Sequence, residues 1–148
     1  MAANSNPKFT KNGRVSSVLV TAGNTSSQGG GTIATDIFLA FTADATNGSF
    51  VERVRLIPTA TTPTATTATV ARVFVSTVAS GATTSANTYL VGEITLPSIS
   101  ADNASTAVIP FDVPIGFALP ASGTILITTH VLPVANTAWR AVVIGGDY

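Results

Sequence analysis

The chain contains no cysteine, and only one histidine, one methionine and one tryptophan among its 148 residues. Without cysteine it can form no disulfide framework, no thiolate metal site and no thiol nucleophile. A lone histidine, His130, excludes a two-histidine metal centre or a conventional metalloprotease within one chain. His130 falls in step with Leu126 and Thr128 in "GTILITTHV" and reads as an outward polar residue of a strand. A metal site made from it would need three copies about a threefold axis, and no cofactor is expected.

Charge is also scarce. Only 9% of residues are charged, where soluble domains carry about 25%. Seven basic residues balance seven acidic ones, which leaves no electrostatic footprint for nucleic acid or an anionic membrane surface. A surface so poor in charge suits a protein whose flanks are covered by copies of itself or by a larger assembly. No apolar run approaches the ~18 residues of a membrane span. The opening "MAANSNPKFTKNGR" lacks the apolar core of a signal peptide, so the expectation is synthesis and assembly inside a cell.

The residues that are plentiful favour strands. The helix formers Glu, Lys, Gln and Met are nearly absent, Thr, Val, Ile and Phe are common, and 12 Gly and 8 Pro punctuate the chain. Alternating or β-rich segments recur at residues 15–22, 34–42, 50–58, 69–77, 88–96, 106–113, 123–131 and 138–145. Gly, Asn and Ser clusters separate them, and no segment has helical periodicity. Eight short antiparallel strands in a chain of this size predict an all-β fold, an eight-stranded jelly-roll β-sandwich. One domain, 14–148, would follow an extended N-terminal arm, 1–13, with Phe9 as its apolar anchor.

Eleven residues, 59–69, are only Thr, Ala and one Pro. This run is too long for a tight hairpin between the third and fourth segments. It reads as a crossover at the rim of the sandwich, stiffened by Pro63. Period-2 alternation assigns Ile37, Leu39 and Phe41 to the core, with Val54, Leu56, Leu90, Ile94 and Leu96. It leaves Phe38 and Phe74 outward, and the last segment apolar on both faces, where Trp139, Ala141 and Val143 alternate with Arg140, Val142 and Ile144. A strand of that kind needs cover on both sides, from an arm of the same chain or from a neighbouring subunit.

No constellation declares a reaction. The seven acids are scattered over different segments with no spacing that argues for paired acid and base work. "SSQGGGT" lacks the lysine and helix of a phosphate loop and reads as a flexible connection. Arg53, Arg55 and Arg72, all expected outward, are positioned to grip carboxylates on a partner subunit or a glycan, or to make local ion pairs. A hairpin centred on "SGATTSAN" places Arg72 opposite Glu93. The expected interface thus comprises Phe9, Phe38, Arg53, Arg55, Arg72, Phe74, Trp139 and Arg140.

The segments "VERVRLIP", "ARVFVS", "YLVGEITLP", "VPIGFALPASGTILITT" and "WRAVVIGGDY" together resemble small jelly-roll structural proteins of tailed bacteriophages, of the kind that decorate or cement capsids. The resemblance implies a non-enzymatic virion protein, a homo-oligomer in the form of a trimer, whose partner is the major capsid protein or another virion protein. Its location would be the virion, assembled in the host cytoplasm. A tail-associated receptor-binding or carbohydrate-binding knob is the alternative use of the same fold.

Overall fold

The computed structural model describes residues 10–61, 64–100 and 107–148, and among them the protein is all β, without a helix. Ten strands follow in chain order: β1 Asn12–Val20, β2 Gly31–Thr32, β3 Phe38–Thr42, β4 Ser49–Ala60, β5 Thr69–Ser76, β6 Ala82–Thr83, β7 Thr88–Leu96, β8 Phe111–Leu119, β9 Thr124–Thr129 and β10 Thr137–Asp147. Eight of them build two four-stranded antiparallel sheets, sheet I in the order β1-β10-β4-β8 and sheet II in the order β3-β9-β5-β7. The pair β2 and β6 forms a small ladder of its own. Pairing is nested along the chain: β1 joins β10, β3 joins β9, β4 joins β8 and β5 joins β7.

The sheets pack face to face, with β1 near β3 and β7 near β8. Val54, Leu56, Trp139, Ala141 and Val143 enter the core from sheet I, and Phe38, Phe41, Val73, Ile125 and Ile127 enter it from sheet II. Each large side chain buried this way stabilises the fold by about 1.5–3 kcal/mol. Trp139 also meets the Phe111 ring edge to face, with centroids 5.9 Å apart.

The expected segments coincide with β1, β3, β4, β5, β7, β9 and β10, with ends shifted by a few residues. The segment at 106–113 does not: the strand there is Phe111–Leu119, and 107–110 is irregular and exposed. Pro114 and Gly116 look like strand breakers, but β8 is an edge strand, which needs backbone donors on one side only. β1 starts at Asn12, inside the expected arm, while Phe9 lies outside the described residues.

The Thr/Ala run does cross from sheet I to sheet II, although its first residues, Thr59 and Ala60, still belong to β4. Beyond the rim, the amide of Thr66 donates to the carbonyl of Ile99 at 2.8 Å, tying the crossover to the chain after β7. Pro63 lies outside the described residues. The hairpin of β5 and β7 has the expected register, Arg72 opposite Glu93, and Nε of Arg72 donates to Oε1 of Glu93 at 2.7 Å.

Several facings differ from the sequence reading. Leu90, assigned to the core, is 41% exposed, because Val91 is an extra residue in β7 where the register with β5 shifts between Val73 and Phe74. In β3 it is Phe38, Ala40 and Phe41 that enter the main core, because a register shift between Leu39 and Phe41 breaks the alternation. Ile37 and Leu39 point the other way, into a second apolar cluster with Phe74 and Leu126. Residues 24–37, between β1 and β3, lie over the outer side of sheet II as a strap that closes this cluster. The strap is fixed by the amide of Asn24 on the carbonyl of Thr129 at 2.7 Å and by the hydroxyl of Thr128 on the carbonyl of Asp36 at 2.9 Å.

The "SSQGGGT" stretch therefore belongs to a packed layer that includes β2, rather than to a loose connection. All six residues of β9 are buried as a result, so the strand covered on both faces is β9 and the cover comes from the same chain. Threonine suits this position, since its hydroxyl supplies a donor to a strap carbonyl without placing a charge between layers.

Candidate functional site

Sheet II is capped by the strap, whereas the outer side of sheet I has no second layer among the described residues. Along β1, β4 and β10, alternate residues point away from the core, and register aligns them in rows. Leu19, Arg140 and Ile57 form the first row. Ser17, Val142, Arg55 and Asp112 form the second, and Val15, Ile144, Arg53 and Pro114 the third. Val15 is 67% exposed and Leu19 39% exposed, while Ile57, Val142 and Ile144 are half-buried between arginine stems. The face thus interleaves aliphatic side chains with arginines.

Its arginines are not equivalent. Arg55 grips Asp112 with two parallel hydrogen bonds of 2.8 Å from Nε and Nη2. That contact holds the Asp112 carboxyl below the ordinary aspartate value and raises Arg55. Arg53 lies 3.5 Å from Glu52 and 4.0 Å from Asp112, yet its Nε is buried without a hydrogen-bond partner among the described residues. Arg140 is exposed and makes no ion pair or hydrogen bond among the described residues. Two guanidinium groups on one face are therefore incompletely satisfied.

The structure brings together Arg53, Arg55 and Arg140 from the expected interface and separates the rest. Arg72 is on sheet II beneath the strap, with its guanidinium on Glu93, on the Asn24 carbonyl at 3.4 Å and on Nδ1 of His130 at 3.3 Å. It fastens the strap and is 8% exposed. Phe38 and Phe74, expected outward, and Trp139, expected at the interface, are buried within the chain and offer no surface to a partner. Phe74 is covered by the strap, and Phe38 and Trp139 belong to the main core. Val15, Leu19 and Ile57 were missing from the expected interface; the signal for the first two was the alternation of "RVSSVLV".

No group of three or more potential metal-ligating side chains occurs among the described residues, and no helix long and apolar enough to cross a membrane occurs among them. Comparison with protein-family models, curated proteins and solved structures found no match for the chain.

Carboxylates on this framework set its acid sensitivity. Asp44, in the turn between β3 and β4, accepts the amides of Asn47 at 2.7 Å and Thr46 at 3.0 Å, which lowers its pKa below 3.8. Asp112 is lowered in the same sense, chiefly by its hydrogen bond from Arg55. A depressed carboxyl stabilises the fold at pH values above its unfolded pKa of about 3.9, and this is lost as pH falls through the folded value. Thermal melting should therefore be flat from about pH 7 to 5 and fall below about pH 4. Asp44→Asn and Asp112→Asn should each make that acid limb shallower.

Proposed function

We propose that this chain is a virion structural protein of a tailed bacteriophage, a decoration or cement protein with a jelly-roll fold that attaches as a homotrimer. The nested strand pairing supports the jelly roll, since folding one long antiparallel hairpin over on itself gives two four-stranded sheets in this order. The observation that carries the functional reading is the uncovered side of sheet I. The chain covers one apolar outer face with its own strap and leaves the opposite one open, with Val15 and Leu19 exposed beside Arg53 and Arg140. Aliphatic residues interleaved with arginine suit a protein interface. In this reading the open face meets the shell or a neighbouring subunit, and no residue has a catalytic role.

A carbohydrate-binding knob has less support, because Trp139 is buried and cannot serve as a sugar platform. The decisive experiment is cryo-electron microscopy of the parent particle, in which the chain should occupy symmetric positions on the capsid lattice. Its absence from the shell would overturn the decoration reading. Light scattering on the purified chain should give a trimer, and a monodisperse monomer at micromolar concentration would remove the oligomer from the proposal. Val15→Asp, at a side chain 67% exposed on the edge strand β1, should leave the melt nearly unchanged and weaken attachment roughly tenfold or more, since it puts charge in the contact.

A further inference from the structure

A groove of about 430 Å³ opens at the end of sheet I, where β1 stops and β4 and β10 continue. Leu19 and Thr21 form one wall, Thr59 and Thr61 another, and Asn136 and Arg140 a third. We propose that this groove binds an extended, acidic peptide segment of a partner protein, with Arg140 taking its carboxylate. No step of this inference depends on the virion reading.

The charge argument rests on the surroundings of Arg140. Its lateral neighbours are Leu19 and Ile57, and its neighbours on the same side of β10 are Ala138 and Val142. None is acidic, and no hydrogen bond or ion pair engages the guanidinium among the described residues. Arg55, one row away, is already committed to Asp112. A free planar fork of donors beside a groove is best satisfied by a carboxylate held through two parallel bonds.

The shape argument comes from the strand ends. β1 pairs with β10 only as far as Val20 opposite Trp139, whereas β4 stays paired as far as Thr137 opposite Ala60. On the β1 side, Thr137 and Ala138 therefore have no strand neighbour; the Thr137 amide donates to the Val134 carbonyl at 2.9 Å, so an incoming extended segment lies along that edge by side-chain contacts rather than by a ladder. Asn136 holds a left-handed φ of 67°, a conformation asparagine tolerates, and its carbonyl accepts the amide of Thr61 at 3.0 Å. The connection from β9 to β10 also exposes Leu132 and Val134 close in sequence to Asn136, which gives apolar residues of the segment a place to pack. Among the described residues no aromatic ring lines the groove, which favours a peptide over an acidic saccharide.

Titration of the ¹⁵N-labelled chain with the peptide acetyl-Thr-Val-Asp-Val-Thr-amide tests this by nuclear magnetic resonance. Saturable shifts are expected at the amides of Thr59, Thr61 and Asn136 and at the Nε–H of Arg140. The counterpart peptide with Asn in place of Asp should bind about tenfold more weakly or worse, and so should the Arg140→Gln variant, whose own spectrum verifies its fold. Equal affinity of the two peptides, shifts that persist in Arg140→Gln, or no shifts at the groove would overturn the proposal. Shifts with glucuronic acid but not with the Asp peptide would overturn it in favour of a saccharide site.

Discussion

Trp139→Ala is expected to destabilise the fold by about 3–5 kcal/mol, and thereby to lower the melting temperature by roughly 6–20 °C. The side chain is 1% exposed, sits on the inner face of β10 between β1 and β4, and meets the edge of Phe111. Removing the indole leaves a cavity in the middle of sheet I, where the backbone is held on both sides by ladders and cannot collapse to fill it. An interface tryptophan would behave differently, since its loss would spare the isolated chain and weaken association. Urea unfolding followed by circular dichroism distinguishes the two. A midpoint unchanged from that of the parent chain would return Trp139 to the surface.

That distinction was not available from the sequence, for a reason that lies in the strand itself. β10 is apolar at both Trp139, Ala141, Val143 and Val142, Ile144, so alternation marks two faces without saying which is inside. β9 shows the complementary difficulty. Its outward Leu126 and Thr128 are buried by a strap whose Gly, Ser and Asn residues read as loop, because nothing in a strap's sequence states what it lies against. The misassignment of Phe38 has a third cause, a one-residue shift between β3 and β9 that period-2 counting cannot detect. Seven of the ten strands were legible, since they depend on local pattern; β8 was displaced because Pro114 and Gly116 read as breakers, and the two-residue β2 and β6 are too short to carry a pattern. The pairing of Arg72 with Glu93 was legible too, because β5 and β7 pair antiparallel across the connection 77–87 and carry opposite charges at facing positions.

On the candidate site, same-parity spacing was enough to place Arg53 and Arg55 on one face of β4. Their convergence with Arg140 and Val15 was not legible, because it requires knowing that β10 inserts between β1 and β4. The open face is thus a product of topology more than of any motif. It comes from long-range pairing, in which the last strand of the chain joins the first.

Gly145→Ala should be as damaging as the tryptophan substitution although it adds a single methyl group. Glu52 is an extra residue in β4 relative to β10, and the register of the two strands shifts between Ile144 and Gly145 to absorb it. This draws the backbones together, so that a Cβ on Gly145 would lie 2.2 Å from the carbonyl oxygen of Phe50 and 3.1 Å from Cα of Val51. Both contacts are with backbone, which no rotamer change can relieve. The methyl group fits only if β10 and β4 separate, and these are the two inner strands of sheet I. A loss of at least about 3 kcal/mol is expected. Gly13→Ala is the control: in β1, a Cβ there meets nothing within 4 Å, and its effect should stay within about 0.5 kcal/mol. Denaturant melts of the two variants measured side by side decide the matter, and equal midpoints would mean that β4 and β10 do not approach each other as closely as the bulge requires.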